Sequence, residues 1–204
     1  MWFSQRFRVE PPPEVPFKPS SGSQLVEYVP SGITDNTTTG TQDSCQIGVG
    51  SLTSNPSFRW DFFGMMVGCD LREGEDLCRI RVSGYRFNAA RGSEERIMSQ
   101  DVWVRTCNAT SGCDLRPVVV NGFTNISSVV LSATVDSQPR VWWCDDFDFG
   151  WTDNSCVGAM GRQNAPAQMS KRKPLESFSK WTPSGVKRVE AGGFVSSVRG
   201  LLRM

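Results

Sequence analysis

The segment RVWWCDDFDFGWTDNSC, residues 140–156, crowds five aromatic side chains, four aspartates and two cysteines into seventeen positions. Read as a strand, its side chains alternate between two faces. Val141, Trp143, Asp145, Phe147 and Phe149 share one face, and Trp142, Cys144, Asp146 and Asp148 share the other. Burying one Trp and two Phe supplies several kcal/mol at about 25 cal/mol per Å² of apolar area. The first face is therefore assigned to a core. The second is expected at the surface, with Trp142 as an exposed candidate ligand-binding residue.

Working outward, β signals recur through the middle of the chain. They are FRWDFFGMMV (58–67), CRIRVSGYRF (78–87), QDVWVRT (100–106), RPVVV (116–120), ISSVVLSATV (126–135) and the opening stretch itself. Gly, Asn, Asp and Ser turns separate these short runs, a spacing that points to an all-β, antiparallel β-sandwich. In 79–87, Ile80 and Val82 alternate with Arg79, Arg81 and Ser83, so that strand is expected to have one wet face. Segments 126–135 and 140–149 are joined only by DSQP, which predicts a hairpin between them. With 19 Gly, 12 Pro and 38% hydrophobic residues, the composition also disfavours a long-helix bundle.

Charge and proline divide the chain of 204 residues. Residues 1–20 include VEPPPEVPFKPS (9–20), whose prolines lack amide donors and favour extended backbone, so they read as an arm. Residues 21–166 read as the sandwich domain, and SGITDNTTTGTQDS (31–44) within them as a surface loop. Residues 1–166 carry 14 Lys/Arg against 19 Asp/Glu, net −5, whereas 167–204 carry 8 against 2, net +6. That basic segment is expected to be a disordered tail. An acidic body gives no basic face for phosphate neutralisation, so no nucleic-acid partner is expected. No run approaches the roughly 18 apolar residues of a membrane span.

Seven cysteines occur without a Cys-x-x-Cys pair, and the chain has no histidine, which argues against a structural zinc site. Cys69 and Cys78 flank DLREGEDL, and Cys107 and Cys113 flank NATSG, so two disulfides are expected. Cys45 pairs with Cys144 or Cys156, or stays free. Three sequons, at Asn36, Asn108 and Asn125, add glycosylation to the reading. Disulfides and sequons together place the chain outside the cell or in the wall. The start, MWFSQRFRVEPPPEVPF, has no apolar h-region, and the true start is expected upstream in a longer secreted chain.

Lack of histidine removes Ser-His-Asp and Cys-His catalysis. Asp145, Asp146 and Asp148 offer only oxygen ligands, the donor set that Ca²⁺ prefers, so a structural calcium site is the one metal candidate. A pair of facing carboxylates could also hydrolyse a glycosidic bond.

The runs SGSQLVEYVPSG (21–32), FRWDFFGMMVGCD followed by CRIRVSGYRF, and above all DSQPRVWWCDDFDFGWTDNSC (136–156) resemble a family of uncharacterised secreted ascomycete proteins. The resemblance covers roughly residues 9–165. It implies a jelly-roll-like sandwich, often placed after mucin-like Ser/Thr/Pro-rich stalks, similar in form to galactose-binding and other carbohydrate-binding modules. It implies no activity. The expected function is a non-catalytic module that binds wall or surface glycans. The alternatives are a purely structural stalk-displayed domain and a carboxylate-based glycoside hydrolase.

Overall fold

A computed structural model describes residues 1–4, 6–10, 17–30, 45–70, 77–107 and 112–165. In chain order the described strands are β1 (Trp2–Phe3), β2 (Phe7–Glu10), β3 (Phe17–Lys18), β4 (Leu25–Tyr28), β5 (Cys45–Gly48), β6 (Trp60–Cys69) and β7 (Leu77–Asn88). They continue with β8 (Ser93–Arg105), β9 (Cys113–Asp114), β10 (Arg116–Val119), β11 (Ser128–Val135), β12 (Gln138–Pro139) and β13 (Trp142–Trp151). One short helix, α1 (Cys156–Gln163), ends the described chain and is capped by the Ser155 hydroxyl, which accepts from the Gly158 N–H. The basic 167–204 segment and the sequons at Asn36 and Asn108 lie outside the described residues.

The strands form two large sheets and a separate parallel pair, β3 with β9. Sheet A runs β1-β5-β11-β7-β8, with β12 beside β11, and sheet B runs β10-β6-β13-β4-β2. Taking the eight principal strands β4, β5, β6, β7, β8, β10, β11 and β13 as first to eighth, sheet B orders them 6-3-8-1 and sheet A orders them 2-7-4-5. Successive long connections alternate between the sheets, which is the double Greek key of a jelly roll. The all-β sandwich expected from the sequence is therefore the fold. One seam is closed by a side chain: Gln100 on β8 donates to the Val119 carbonyl and accepts from the Asn121 N–H, so the rim of β10 finds partners on the other sheet.

This topology overturns the predicted hairpin between 126–135 and 140–149. Asp136 and Ser137 both have positive φ, 48° and 64°, and close a two-residue turn of the type that suits right-handed strand twist. That turn pairs β11 only with the two residues of β12. After the Arg140 N–H donates to the Ala133 carbonyl, the chain crosses to sheet B. The seventh and eighth strands of a jelly roll lie on opposite sheets and cannot be hairpin partners.

The face assignment of the opening stretch also needs correction. Trp142 and Cys144, expected outside, lie in the main core at 1% exposure each. Trp143 instead points to the outer side of sheet B, where it packs with Phe17, Leu25, Cys107 and Leu115 in a second, smaller apolar cluster. The cause is a β-bulge. Pairing of β13 with β6 slips between Asp145 and Asp148, where β13 spends one extra residue, and slips back between Asp148 and Phe149, where β6 does. Asp146 takes the left-handed conformation that such a bulge needs, with φ 46°. Each strand reverses its alternation there: on β6 Trp60 and Phe62 face the core before the bulge, and Met65 and Val67 face it beyond. On β13 the inward role passes from Trp142 and Cys144 to Phe147 and Phe149, which pack half-buried against the same core.

Within the expected arm, Trp2–Phe3 add β1 to sheet A and Phe7–Glu10 add β2 to sheet B. Phe3 and Phe7 stack edge-on at 5.3 Å, and Phe7 meets Tyr28 and Trp142 in the same way. An aromatic chain thus ties the N-terminus to both sheets.

Both expected disulfides are present. Cys69–Cys78 joins β6 of sheet B to β7 of sheet A, and Cys107–Cys113 staples the smaller cluster. Cys45, Cys144 and Cys156 are free thiols. Burial pushes the thiols of Cys45 and Cys144 well above the usual range, and each is further raised by a nearby acidic group, Cys144 for the first and Asp145 for the second. Since the thiolate is the nucleophile, a maleimide should modify one thiol of the native protein, Cys156, and three after unfolding in guanidinium. Rapid native labelling of Cys45 or Cys144 would contradict their placement.

Candidate functional site

The outer face of sheet A is built by the alternation read in β7. Ile80 and Val82 are buried in the core, so Arg79, Arg81 and Ser83 stand on the opposite face. On β8, Val104 is buried and Val102 packs against the core, which turns Trp103, Asp101 and Ser99 outward. Strand register then sets three rows across β11, β7 and β8: Thr134, Arg79 and Trp103; Ser132, Arg81 and Asp101; Val130, Ser83 and Ser99.

Each row is held by side-chain contacts. The Arg79 Nε donates to Thr134 Oγ1 at 3.3 Å. The Arg81 guanidinium donates twice to Asp101, Nε to Oδ1 at 2.7 Å and Nη2 to Oδ2 at 2.8 Å. The hydroxyls of Ser83 and Ser99 lie 3.0 Å apart, and Ser99 also reaches the Val82 carbonyl. That Arg81 fork, with the Arg79 charge nearby, holds the Asp101 carboxyl below the usual carboxylate range. Asp101 thus stays an ionised acceptor in mildly acidic solution.

Two features make this face a site. Trp103 is 59% exposed, a large aromatic surface left in water. Beside it, Arg81, Arg96, Ile97, Met98, Ser99 and Asp101 line an open depression of about 490 Å³. Its lining includes Ile97, the extra residue at the slip in pairing of β7 with β8 between Gly84 and Tyr85. Rows spaced by two residues at ~3.3 Å rise place Trp103 about 7 Å from Asp101 along the strand. An aromatic platform followed by donors and acceptors on a rigid sheet can hold a flat, hydroxylated ligand.

The sequence had named other residues. Trp142, expected as the exposed aromatic, is in the core and cannot be a platform. The proposed calcium ligands do not converge. Asp145 is buried and accepts from Ser20 Oγ and the Ser21 N–H, both at 3.0 Å, and from the Asp146 N–H at 2.9 Å. Asp146 accepts from Ser21 Oγ at 2.5 Å, and Asp148 is exposed. These contacts fasten the segment before β4 onto β13. Among the described residues no group of three or more His, Cys, Asp or Glu side chains could hold a metal ion. Asn125 is exposed in a left-handed turn, φ 56°, with its N–H donated to Asp61, and its side chain is open to modification.

Trp103 was legible in QDVWVRT, where it shares a parity with Asp101 and Arg105 while Val102 and Val104 share the other. An aromatic on the polar parity of a half-buried strand is the signal for such a site.

Residues 1–162 match the model of a family described as a domain of unknown function, DUF7371. The chain belongs to that family. The DUF7371 match begins at β1 and ends within α1, so it takes in both sheets, the N-terminal aromatics and the outer face of sheet A. No curated protein matches the chain. No helix among the described residues of this DUF7371 domain is long and apolar enough to cross a membrane.

Proposed function

We propose that this DUF7371 domain is a non-catalytic carbohydrate-binding module, displayed outside the cell or on the wall, whose glycan lies along the outer face of sheet A. The observation that carries the reading is Trp103, exposed at 59%, with Arg79 and Thr134 in its own row and Asp101 in the next. Sugars present apolar C–H faces that stack on aromatic rings and hydroxyls that need both donors and acceptors. The three rows provide each of these. Preformed arginine, carboxylate and serine contacts keep the polar groups in place before a ligand arrives, which lowers the ordering cost of binding.

The same geometry speaks against hydrolysis at this face. A glycosidase needs one carboxyl with a raised pKa to protonate the leaving oxygen. Asp101 is shifted the other way by Arg81. An extracellular setting is supported by the two disulfides and by the exposed Asn125, the acceptor residue of a sequon.

A glycan array followed by affinity electrophoresis on soluble polysaccharides tests the proposal. Binding of at least one glycan class is expected, and Trp103→Ala should weaken it by tenfold or more, since the aromatic is the main apolar contact. Its melting temperature should be unchanged within about 2 °C, because surface substitutions away from packed features seldom exceed ~0.5 kcal/mol. Absence of binding across the array would leave the purely structural, stalk-displayed reading in its place.

A further inference from the structure

Resting on that reading of the face, we infer that its ligand is an acidic glycan, one whose sugars carry carboxylates such as uronic acids. The charges on this face run against those of the rest of the body. Residues 1–166 are net −5, with 14 Lys/Arg and 19 Asp/Glu. Yet the outward positions of β7 and β8 hold Arg79, Arg81, Arg96 and Arg105 against Asp101 and Glu94.

The two acids are already engaged. Asp101 is forked by Arg81, and Glu94 accepts from Ser127 Oγ, from Ser128 Oγ at 2.9 Å and from Gln46 Nε2 at 3.0 Å at the far end of the sheet. Arg96 and Arg105 are exposed, and neither guanidinium has an ion-pair or hydrogen-bond partner among the described residues. They bracket the site. Arg96 lines the depression, and Arg105 stands one outward position beyond Trp103. At ~3.3 Å per residue they lie roughly 27 Å apart along β8, a track long enough for several sugar rings in a row.

Exposed guanidinium groups at both ends, with a stacking ring and neutral hydroxyls between, fit a chain whose carboxylates recur along its length. Arg pairs with carboxylate in a planar two-bond fork, which gives geometric choice as well as charge. A nucleic acid fits less well, because Asp101 sits in the middle of the track where a phosphate backbone would pass. For a sugar hydroxyl the same Asp101 is an acceptor.

The experiment compares one polysaccharide backbone in two charge states: polygalacturonate fragments and the same fragments methyl-esterified, with alginate as a second polyuronate. Titration of the full chain by calorimetry should show polyuronate binding that weakens as salt is raised and is lost or reduced at least about tenfold on esterification. Arg96→Gln with Arg105→Gln should reduce polyuronate affinity by about tenfold and remove most of its salt dependence, whereas Trp103→Ala should abolish binding at any salt. Equal, salt-independent binding of esterified fragments, or binding of neutral glucan or chitin oligomers alone, would overturn the acidic-glycan inference and leave the carbohydrate-binding proposal standing. No sugar binding at all would overturn both. Equal loss, in the double arginine variant, of binding to polyuronates, single-stranded DNA and anionic phosphatidylserine vesicles would reduce the face to a general anion surface and overturn it as well.

Discussion

Trp142→Ala is expected to cost about 3–5 kcal/mol of folding stability, the range for emptying a buried aromatic site. Trp142 is 1% exposed, 5.6 Å from the Tyr28 ring and 6.1 Å from that of Phe7, at the join between β13, β4 and the N-terminal strands. Collapse around the vacancy is hindered because Cys69, its register partner on β6, is fixed by the disulfide to Cys78. Chemical denaturation should report the loss as a lower midpoint with an unchanged slope. Trp142→Phe should recover a large part of it. Among the described residues the buried indole N–H has no hydrogen-bond partner, so Phe gives up ring volume but no polar contact found there. The contrast with Trp103→Ala separates the two tryptophans: one variant loses stability and the other loses ligand. A silent Trp142→Ala would mean that the crossing into sheet B is wrongly placed.

That contrast shows where the sequence was readable. Fold class, six of the strands and both disulfides follow from period-two runs, turn residues and the short separations Cys69–Cys78 and Cys107–Cys113, all of which are local. What failed was non-local. A two-residue turn at Asp136 and Ser137 looks the same in sequence whether the next strand pairs with β11 or crosses to the other sheet. The strands β1, β2 and β5 are two to four residues long, too short to show an alternation, and exist through non-local pairing, β5 on β11, β1 on β5 and β2 on β4. The site was half legible. Alternation alone places Arg79, Arg81 and Ser83 on the wet face, but aromatic density singles out 140–149 over Trp103. Two adjacent tryptophans on one strand must point to opposite faces, and period alone could not say that both faces of β13 are covered. The separate segments containing Phe17 and Leu115 cover the second one.

Gly64→Ala is expected to destabilise the domain by about 2–4 kcal/mol, combining overpacking with backbone strain. A Cβ built on Gly64 would lie 2.3 Å from the Val118 carbonyl oxygen, a backbone atom that cannot rotate away. Gly64 is also the residue where β6 turns its alternation around, paired with Val119 on β10 and Asp148 on β13. The added methyl must therefore push β10 outward or straighten the bulge. Straightening carries the larger penalty. Without the extra residue on β6, either Trp60 and Phe62 or Met65 and Val67 would leave the core, and β13 would have to choose between Trp142 and Phe149 in the same way. Relief is expected to come through β10 instead, and it should loosen the Gln100 contacts that close the seam with β8. Hydrogen exchange in Gly64→Ala should accordingly rise at Val118, Val119 and Asn121 while the amides of β11 keep their protection. Uniform loss across both sheets would place the fault in the bulge itself, and a melting curve equal to that of the parent protein would refute the close approach of β10 to β6.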